Sequence, residues 1–278
     1  MKVNRKTAVV TGAGRGIGAA IGRRLVEAGA RVVIADRDGD AAESVAESIR
    51  ASHPAAAVAL AGDVTDEAYL RRLLATANEQ FGPVDLYFAN AGIAGSPGLG
   101  DSDTQWTTAF EIHVHAHVRA ARLLVDEWVE RGEGYFISTA SAAGLLTQIG
   151  TADYSVTKHA AVAFAEWLSV TYGDRGIGVS CLCPMGVETA MLHAGTESDN
   201  EWAAAAARAV TGAGSVLQPE QVADEVLAAI DEERFLILPH REVETMFQQK
   251  GTDYDRWLRG MRRYQASLVA ADGRGGPN

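Results

Sequence analysis

The sequence is poor in cysteine and in long apolar runs. Its 278 residues include two cysteines, Cys181 and Cys183, whose Cys-Leu-Cys spacing in an apolar run predicts reduced thiols in or beside a buried strand. No stretch reaches the roughly 18 apolar residues that a membrane span requires. A strand pattern begins within about six residues of Met1 and leaves no room for a signal peptide, so we expect a cytoplasmic protein.

Net positive charge is also lacking. The 36 acidic side chains outnumber the 25 basic ones, for a net charge of -11, which disfavours binding to nucleic acid and to anionic membranes. With 47% hydrophobic and 22% charged residues, the composition is that of an ordinary globular protein with a full core. We therefore expect a small-molecule partner, no nucleic acid and no membrane.

Short apolar runs alternate with longer helical patterns along most of the chain. The predicted strands are Thr7–Thr11, Arg31–Ala35, Ala56–Ala61, Val84–Phe88, Gly134–Thr139, Gly178–Cys183 and Phe235–Leu238. The predicted helices are Gly16–Ala28, Gly39–Ala51, Asp66–Gln80, Asp103–Arg131, Ala152–Asp174 and Pro219–Asp231. This alternation predicts an α/β fold of the Rossmann type, a doubly wound seven-stranded parallel sheet with helices on both faces.

Three regions depart from the alternation, and the first, Ala94–Ser102, is rich in Gly, Ser and Pro and is predicted to be a loop. Residues 190–216 hold a polar stretch and an Ala-rich helix, Trp202–Val210, and we interpret them as a substrate lid on a catalytic Rossmann domain of residues 1–240. Residues 241–278 are predicted to be a helical extension, amphipathic over Arg241–Tyr264, with a disordered tail over Ala271–Asn278.

A glycine-rich turn follows the first predicted strand and opens a helix. Such a turn offers backbone N–H groups and a helix N-terminus to a pyrophosphate, and glycine allows the close approach. Asp36, 24 positions after Gly12, ends the second strand, where a carboxylate can bind ribose hydroxyls and repel a 2′-phosphate. Asp36 could instead be a solvated turn residue, and Arg15 and Arg37 could meet a phosphate. The pattern favours NAD over NADP, with a turn formed by Gly12, Arg15, Gly16, Ile17 and Gly18.

Together with further motifs, this turn makes the chain similar to the short-chain dehydrogenase/reductase family along roughly Lys6 to Leu238. The spacing of Ser141, 13 residues before Tyr154, and the Tyr-x-x-x-Lys pair Tyr154–Lys158 match its catalytic residues. Other matching positions, which the resemblance implies contact the cofactor, are Asp63, Val64, Asn90, Ala91, Gly92, Pro184, Val187 and Thr189.

The predicted chemistry is hydride transfer between NAD(H) and a secondary alcohol or ketone. Tyr154 would be the general acid/base, with Lys158 on the same helix face lowering the phenol pKa from about 10. Ser141 would bind the substrate oxygen. The family resemblance implies a homodimer or homotetramer, and the apolar faces of the two longest predicted helices favour such an oligomer.

Two positions depart from the family pattern. His113 stands where the family has a catalytic asparagine, and it could relay protons or simply pack in its helix. Met185 stands where glycine is common, and it could line the pocket or fill the core. His113 and His117 are four residues apart, but no neighbouring carboxylate or cysteine completes a site, so we expect no metal.

The predicted substrate wall is mainly apolar and indicates a moderately hydrophobic alcohol or ketone. Two other functions remain open: a lyase or dehalogenase on the same scaffold, and a non-catalytic nucleotide-binding regulator. The first should lose or repurpose the glycine turn and the second should lose Tyr154 or Lys158, yet all are present. The residues predicted to contact substrate are Ser141, Leu145, Gln148, Met185 and Trp202.

Overall fold

In a computed structural model that describes residues 1–270, seven strands form one parallel sheet in the order β3-β2-β1-β4-β5-β6-β7. The sheet grows outward in opposite directions from β1 and β4, and this reversal opens a crevice at the carboxyl ends of the strands, where ligands bind in such sheets. The strands are β1 (Thr7–Thr11), β2 (Arg31–Asp36), β3 (Ala57–Ala61), β4 (Leu86–Ala89), β5 (Gly134–Thr139), β6 (Ile177–Leu182) and β7 (Leu236–Ile237).

Helices cover both faces of the sheet because alternate strand residues point to opposite sides. Val9 and Val33 pack with one buried cluster, and Val10 and Ile34 pack with the other. The helices are α1 (Gly16–Glu27), α2 (Gly39–Ser52), α3 (Glu67–Phe81), α4 (Asp103–Phe110), α5 (Ala116–Arg131), α6 (Ala143–Leu146), α7 (Ala152–Tyr172), α8 (Ala190–Thr196), α9 (Glu201–Ala213), α10 (Pro219–Glu232), α11 (Arg241–Thr252) and α12 (Tyr254–Ala270).

The predicted Rossmann-type architecture is confirmed, with differences at some element boundaries. The predicted helix Asp103–Arg131 is divided by a π-helical turn over Glu111–His115. The fourth strand starts at Leu86 rather than Val84, and the Asp85 carboxylate just before it accepts the Thr7 N–H at 2.9 Å. The last strand is shorter than predicted.

The C-terminal segment forms two helices where one amphipathic stretch was predicted. The chain breaks at Asp253, whose φ of -148 is extended, so α11 and α12 can pack on different parts of the domain. Helix α12 covers α9 through an apolar cluster that includes Ala205 and Tyr264. The predicted tail Ala271–Asn278 lies outside the described residues. Within residues 1–270, no helix combines the length and apolar character that crossing a membrane requires.

Candidate active site

The turn between β1 and α1 is shaped for a dinucleotide. Gly12 and Gly16 have φ values of +62 and +55, a conformation that side chains with a Cβ rarely adopt. A Cβ on Gly18 would lie 2.4 Å from the carbonyl oxygen of Gly12, so only glycine lets helix and turn approach this closely. Arg15, Gly16 and Ile17 at the N-terminus of α1 line the cavity, where helix N–H groups can bind a pyrophosphate.

Asn90 holds this turn against the end of β4. Its amide nitrogen donates to the carbonyl oxygens of Thr11 at 2.9 Å and Gly12 at 3.3 Å. In return, the Thr11 hydroxyl oxygen accepts the backbone N–H groups of Asn90 and Ala91 at 3.0 and 3.1 Å. Asn90 was predicted to contact the cofactor, and the structure uses its side chain to join the two central strands beneath the cofactor cleft.

The carboxylate of Asp36 is fixed at the end of β2. It accepts the Gly14 N–H at 2.9 Å and the Asp38 N–H at 3.0 Å. Arg15 forms an ion pair with Asp38, so its charge is already balanced within the protein. Asp36 and Asp63 both line the cavity. This acidic corner suits ribose hydroxyl groups better than a 2′-phosphate, since like charges repel.

The predicted catalytic residues meet at the floor of the cleft. The Lys158 ammonium donates to the carbonyl oxygen of Thr139 at 3.0 Å and lies 5.5 Å from the centre of the Tyr154 ring. The Ser141 hydroxyl oxygen accepts the Ala143 N–H at 3.1 Å. Ser141, Tyr154 and Lys158 all line the same cavity as the glycine turn.

Burial dominates the electrostatics of this pair. It raises the pKa of the Tyr154 phenol, and a hydrogen bond with Ser141 acts in the opposite direction. The direction differs from the lowered pKa expected from the sequence. Burial also lowers the pKa of Lys158 to about 8, and the nearby Cys181 and Cys183 thiols oppose that effect.

His113 lies in the π-helical turn with both ring nitrogens hydrogen-bonded. Nε2 accepts the Ile93 N–H at 3.1 Å, so the ring proton is on Nδ1, which lies 2.9 Å from the Thr157 hydroxyl. The ring meets Tyr154 edge-on at 5.6 Å between centroids. Burial is the main cause that lowers the pKa of His113 well below 6.5, with the Lys158 charge second, so the ring is neutral. A relay role for His113 stays a prediction, while its contacts hold the chain after Gly92.

One cavity of about 740 Å³ contains the nucleotide turn and the catalytic residues and ends under α8 and α9. Its charged lining residues apart from Lys158 belong to the nucleotide end. Every cofactor residue predicted from the sequence lines it, namely Gly12, Arg15, Gly16, Ile17, Gly18, Asp36, Arg37, Asp63, Val64, Asn90, Ala91, Gly92, Tyr154, Lys158, Pro184, Val187 and Thr189.

The predicted substrate residues divide into two groups. Ser141, Gln148 and Met185 line the cavity. Leu145 is 5% exposed in the core, Trp202 is 39% exposed with its indole beside Gly98, and neither is among the lining residues. The sequence predicted residues 190–216 as a lid but did not name the residues of its inner face, whose helical spacing is the signal that could have found them: Met191, Leu192, Ala203, Ala206, Ala207 and Val210.

Comparison with known proteins places the chain in a family. A family model described as short chain dehydrogenase matches residues 6–200. The 1-deoxy-11-beta-hydroxypentalenate dehydrogenase of Streptomyces avermitilis is 33% identical over 266 residues, covering 93% of each chain. The cis-4-hydroxycyclohexanecarboxylate dehydrogenase of Sinomonas cyclohexanicum is 34% identical over 224 residues, covering 80% of this chain and 87% of that enzyme. The crystal structure of a short chain dehydrogenase/reductase from Burkholderia phymatum in complex with NAD matches with a TM-score of 0.82 and 29% identity, over 92% of this chain and 96% of that one.

The chain therefore belongs to the short-chain dehydrogenase/reductase family. Within that family it is an NAD-dependent oxidoreductase, so the enzyme class and the cofactor predicted from the glycine turn and Asp36 are confirmed.

Proposed function

We propose that this enzyme transfers hydride between NAD(H) and a neutral, moderately hydrophobic secondary alcohol or ketone, with Tyr154 as general acid/base. The observation that carries the proposal is the meeting of Ser141, Tyr154 and Lys158 in one cavity with the glycine turn. A substrate oxygen near Ser141 would be within reach of the phenol, the geometry that proton transfer requires.

Each catalytic residue then has a distinct task. When bound, NAD supplies the ring that takes up or releases hydride. In oxidation, Tyr154 as phenolate accepts the proton of the substrate hydroxyl as the C–H electron pair leaves carbon; in reduction, the phenol returns the proton to the substrate oxygen. Ser141 would donate a hydrogen bond to that oxygen, and the Lys158 charge would favour phenolate over phenol, against the effect of burial on the Tyr154 pKa.

The glycine turn would hold the pyrophosphate of the dinucleotide, and Asp36 would hold the adenosine ribose. Backbone N–H groups of the turn and the N-terminus of α1 would bind the pyrophosphate. The Asp36 carboxylate, already oriented by Gly14 and Asp38, would accept ribose hydroxyl groups. This arrangement supports NAD rather than NADP.

The substrate end of the cavity supports a neutral ligand. Among the described residues, the wall beyond Ser141 and Tyr154 is made of apolar side chains with Gln148 and Thr151 as polar exceptions. Both relatives described above are named for carboxylates, 1-deoxy-11-beta-hydroxypentalenate and cis-4-hydroxycyclohexanecarboxylate. A carboxylate in an apolar wall is costly without a counter-ion, so we propose that this enzyme prefers alcohols without one.

Absorbance of reduced nicotinamide tests the function directly. Purified enzyme and NAD would be mixed with paired cyclic secondary alcohols that differ only by a carboxylate. We expect turnover of the neutral member with the higher kcat/KM. NAD binding without turnover of any alcohol or ketone would instead favour a nucleotide-binding regulator, and preference for the carboxylates would contradict the neutral substrate.

We also propose a homodimer or homotetramer that uses the outer face of α7. Val170 and Trp167 on this helix are 88% and 55% exposed, and apolar side chains of this size gain free energy when a second subunit covers them. The molar mass from light scattering should be a multiple of the chain mass and should fall to one chain in Val170→Asp. A wild-type mass of one chain would contradict the proposal.

A cytoplasmic location is proposed from the two thiols. Cys181 and Cys183 are free and buried, with sulfur atoms 3.8 Å apart, a state that a reducing compartment preserves. Cell fractionation should find the enzyme with cytoplasmic markers, and recovery in an exported fraction would contradict this location.

A further inference from the structure

His240, the residue just before α11, holds the segment that follows β6. His240, 1% exposed, accepts the Met185 N–H on Nδ1 at 3.2 Å. Its Nε2 then carries the ring proton and donates to the carbonyl oxygen of Gly186 at 2.9 Å. Because Met185 lines the cavity, this imidazole holds one wall of the substrate end from outside.

Helix α11 holds a second wall of the substrate end, the one that contains α6. The Lys250 ammonium donates to the carbonyl oxygen of Leu145 at 2.6 Å and lies 5.3 Å from the centre of the Tyr254 ring. Lys250 is only 6% exposed. Leu145 is in the short helix α6, whose last carbonyl groups lack partners within the helix, so the ammonium satisfies one of them. A buried ammonium is costly in free energy unless it is well paired. Here the Leu145 carbonyl and the face of the Tyr254 ring are its partners.

Helix α6 connects Lys250 to the catalytic residues. A Cβ on Gly144 would lie 2.5 Å from the carbonyl oxygen of Lys158, so α6 rests directly on the backbone of α7. Ser141 comes just before α6, and Gln148 comes just after it. The Gln148 N–H donates to the Ser155 hydroxyl at 2.9 Å, which anchors the far end of this segment to α7.

Helix α12 reaches the third wall. The Tyr264 hydroxyl donates to the carbonyl oxygen of Ala209 in α9 at 3.1 Å. Met261 and Leu268 pack beside it against Ala205 and Ile149. The inner face of α9 lines the cavity, so α12 backs the part of the chain predicted to be a lid.

We propose that α11 and α12 are the outer support of the substrate end, with Lys250 as the positioning residue that holds α6 and thereby Ser141 and Gln148. The inference rests on the proposed function, because it states that α11 and α12 determine which alcohols the enzyme accepts. The Lys250 and Tyr264 contacts involve neither the glycine turn nor Asp36, so these two residues should act on substrate recognition rather than on the adenosine half of NAD.

Lys250→Met tests the proposal, because methionine keeps the apolar stem and removes the ammonium. A charge-assisted hydrogen bond is lost, so we expect KM for the preferred alcohol to rise by about tenfold. The ratio of kcat/KM between a small and a large alcohol should change, while the NAD dissociation constant should not. Lys250→Arg keeps a cationic donor and should recover most of the selectivity.

Two further variants complete the test. Arg259→Met removes an exposed cation from α12 and should behave as wild type. Tyr264→Phe removes one hydroxyl, should fold in any case, and should raise KM by a smaller factor, so it carries the test if Lys250→Met does not fold.

The outcomes separate this inference from the proposed function. Unchanged KM and selectivity in both Lys250→Met and Tyr264→Phe, or an equal loss of NAD affinity, would overturn the role of α11 and α12 alone. A wild-type enzyme that turns over no alcohol would instead overturn the function on which the inference rests.

Discussion

The nucleotide end and the substrate end of the cavity are built by different means. At the nucleotide end, Gly12, Gly18 and Asp36 act through backbone geometry and short contacts within the first two βα units. At the substrate end, the walls are held by side chains from distant parts of the chain, such as Lys250 on Leu145, 105 positions away. The comparison teaches that a local turn conformation, fastened by Asn90 from β4, shapes one end, whereas side chains from the C-terminal helices support the other.

The largest effect on activity should come from changing Tyr154, which lies where the nucleotide end meets the substrate end. Tyr154→Phe removes the proton-transferring hydroxyl and little else, so we expect kcat to fall by about a thousandfold. Calorimetry should give an unchanged NAD affinity if the two ends are independent. Tyr172→Phe, on the same helix but away from the cavity, is the matched control. Substantial turnover by Tyr154→Phe would refute its role as acid/base.

Lys158 should impose a pH-dependent cost on folding. Its pKa is about 8 in the folded protein against 10.5 for an ordinary lysine, so between these values the unfolded chain binds more protons. Folding stability due to this group therefore rises with pH from 8 to 10.5, by about 3 kcal/mol in total. Denaturant unfolding should show wild type gaining this amount relative to Lys158→Met. A constant difference across that range would mean that burial does not depress the pKa.

At the nucleotide end, Gly18→Ala should act by steric conflict. The new Cβ would meet the Gly12 carbonyl and the Asn90 amide at 2.4 and 2.6 Å, which forces the turn open. We expect the NAD dissociation constant to rise by about a hundredfold. Gly22→Ala is the control on the same helix, since its Cβ meets only the flexible end of Ile34. Equal affinities in the two variants would show that the turn tolerates a wider spacing.

At the substrate end, Ala203→Leu should weaken substrate binding rather than NAD binding, the opposite of Gly18→Ala. Ala203 lines the cavity on α9, so added volume there crowds the alcohol and should raise KM for bulky substrates by about tenfold. NAD affinity should stay the same. Ala204→Leu, one position along and outside the lining, controls for helix stability. A comparable loss of NAD affinity in Ala203→Leu would break the proposed separation of the two ends.

The smallest effect concerns the choice of cofactor. Asp36→Ala removes the carboxylate that suits ribose hydroxyl groups, so the preference for NAD over NADP in kcat/KM should fall by about tenfold or less. Asp40→Ala, in the exposed first turn of α2, is the control. Unchanged cofactor selectivity would show that Asp36 mainly holds the turn through Gly14.

The fold was predictable where burial is uniform. Thr7–Thr11 and Gly134–Thr139 were predicted with their observed bounds, since every residue in both strands is buried. The π-helical turn at His113 was not predictable, because it accompanies tertiary hydrogen bonds with Ile93 and Thr157. Trp202 was predicted to contact substrate, yet it is not among the cavity-lining residues and its indole lies beside Gly98.

The sequence by itself determined the sheet, the glycine turn and the order and spacing of the catalytic motif, because these depend on local conformation and on a repeating apolar pattern. Only the tertiary structure decided which walls close the substrate end, which direction burial shifts the pKa of Tyr154 and what His240 and Lys250 hold. Those properties arise where segments far apart in the chain exclude water from one another, and no local pattern records such meetings.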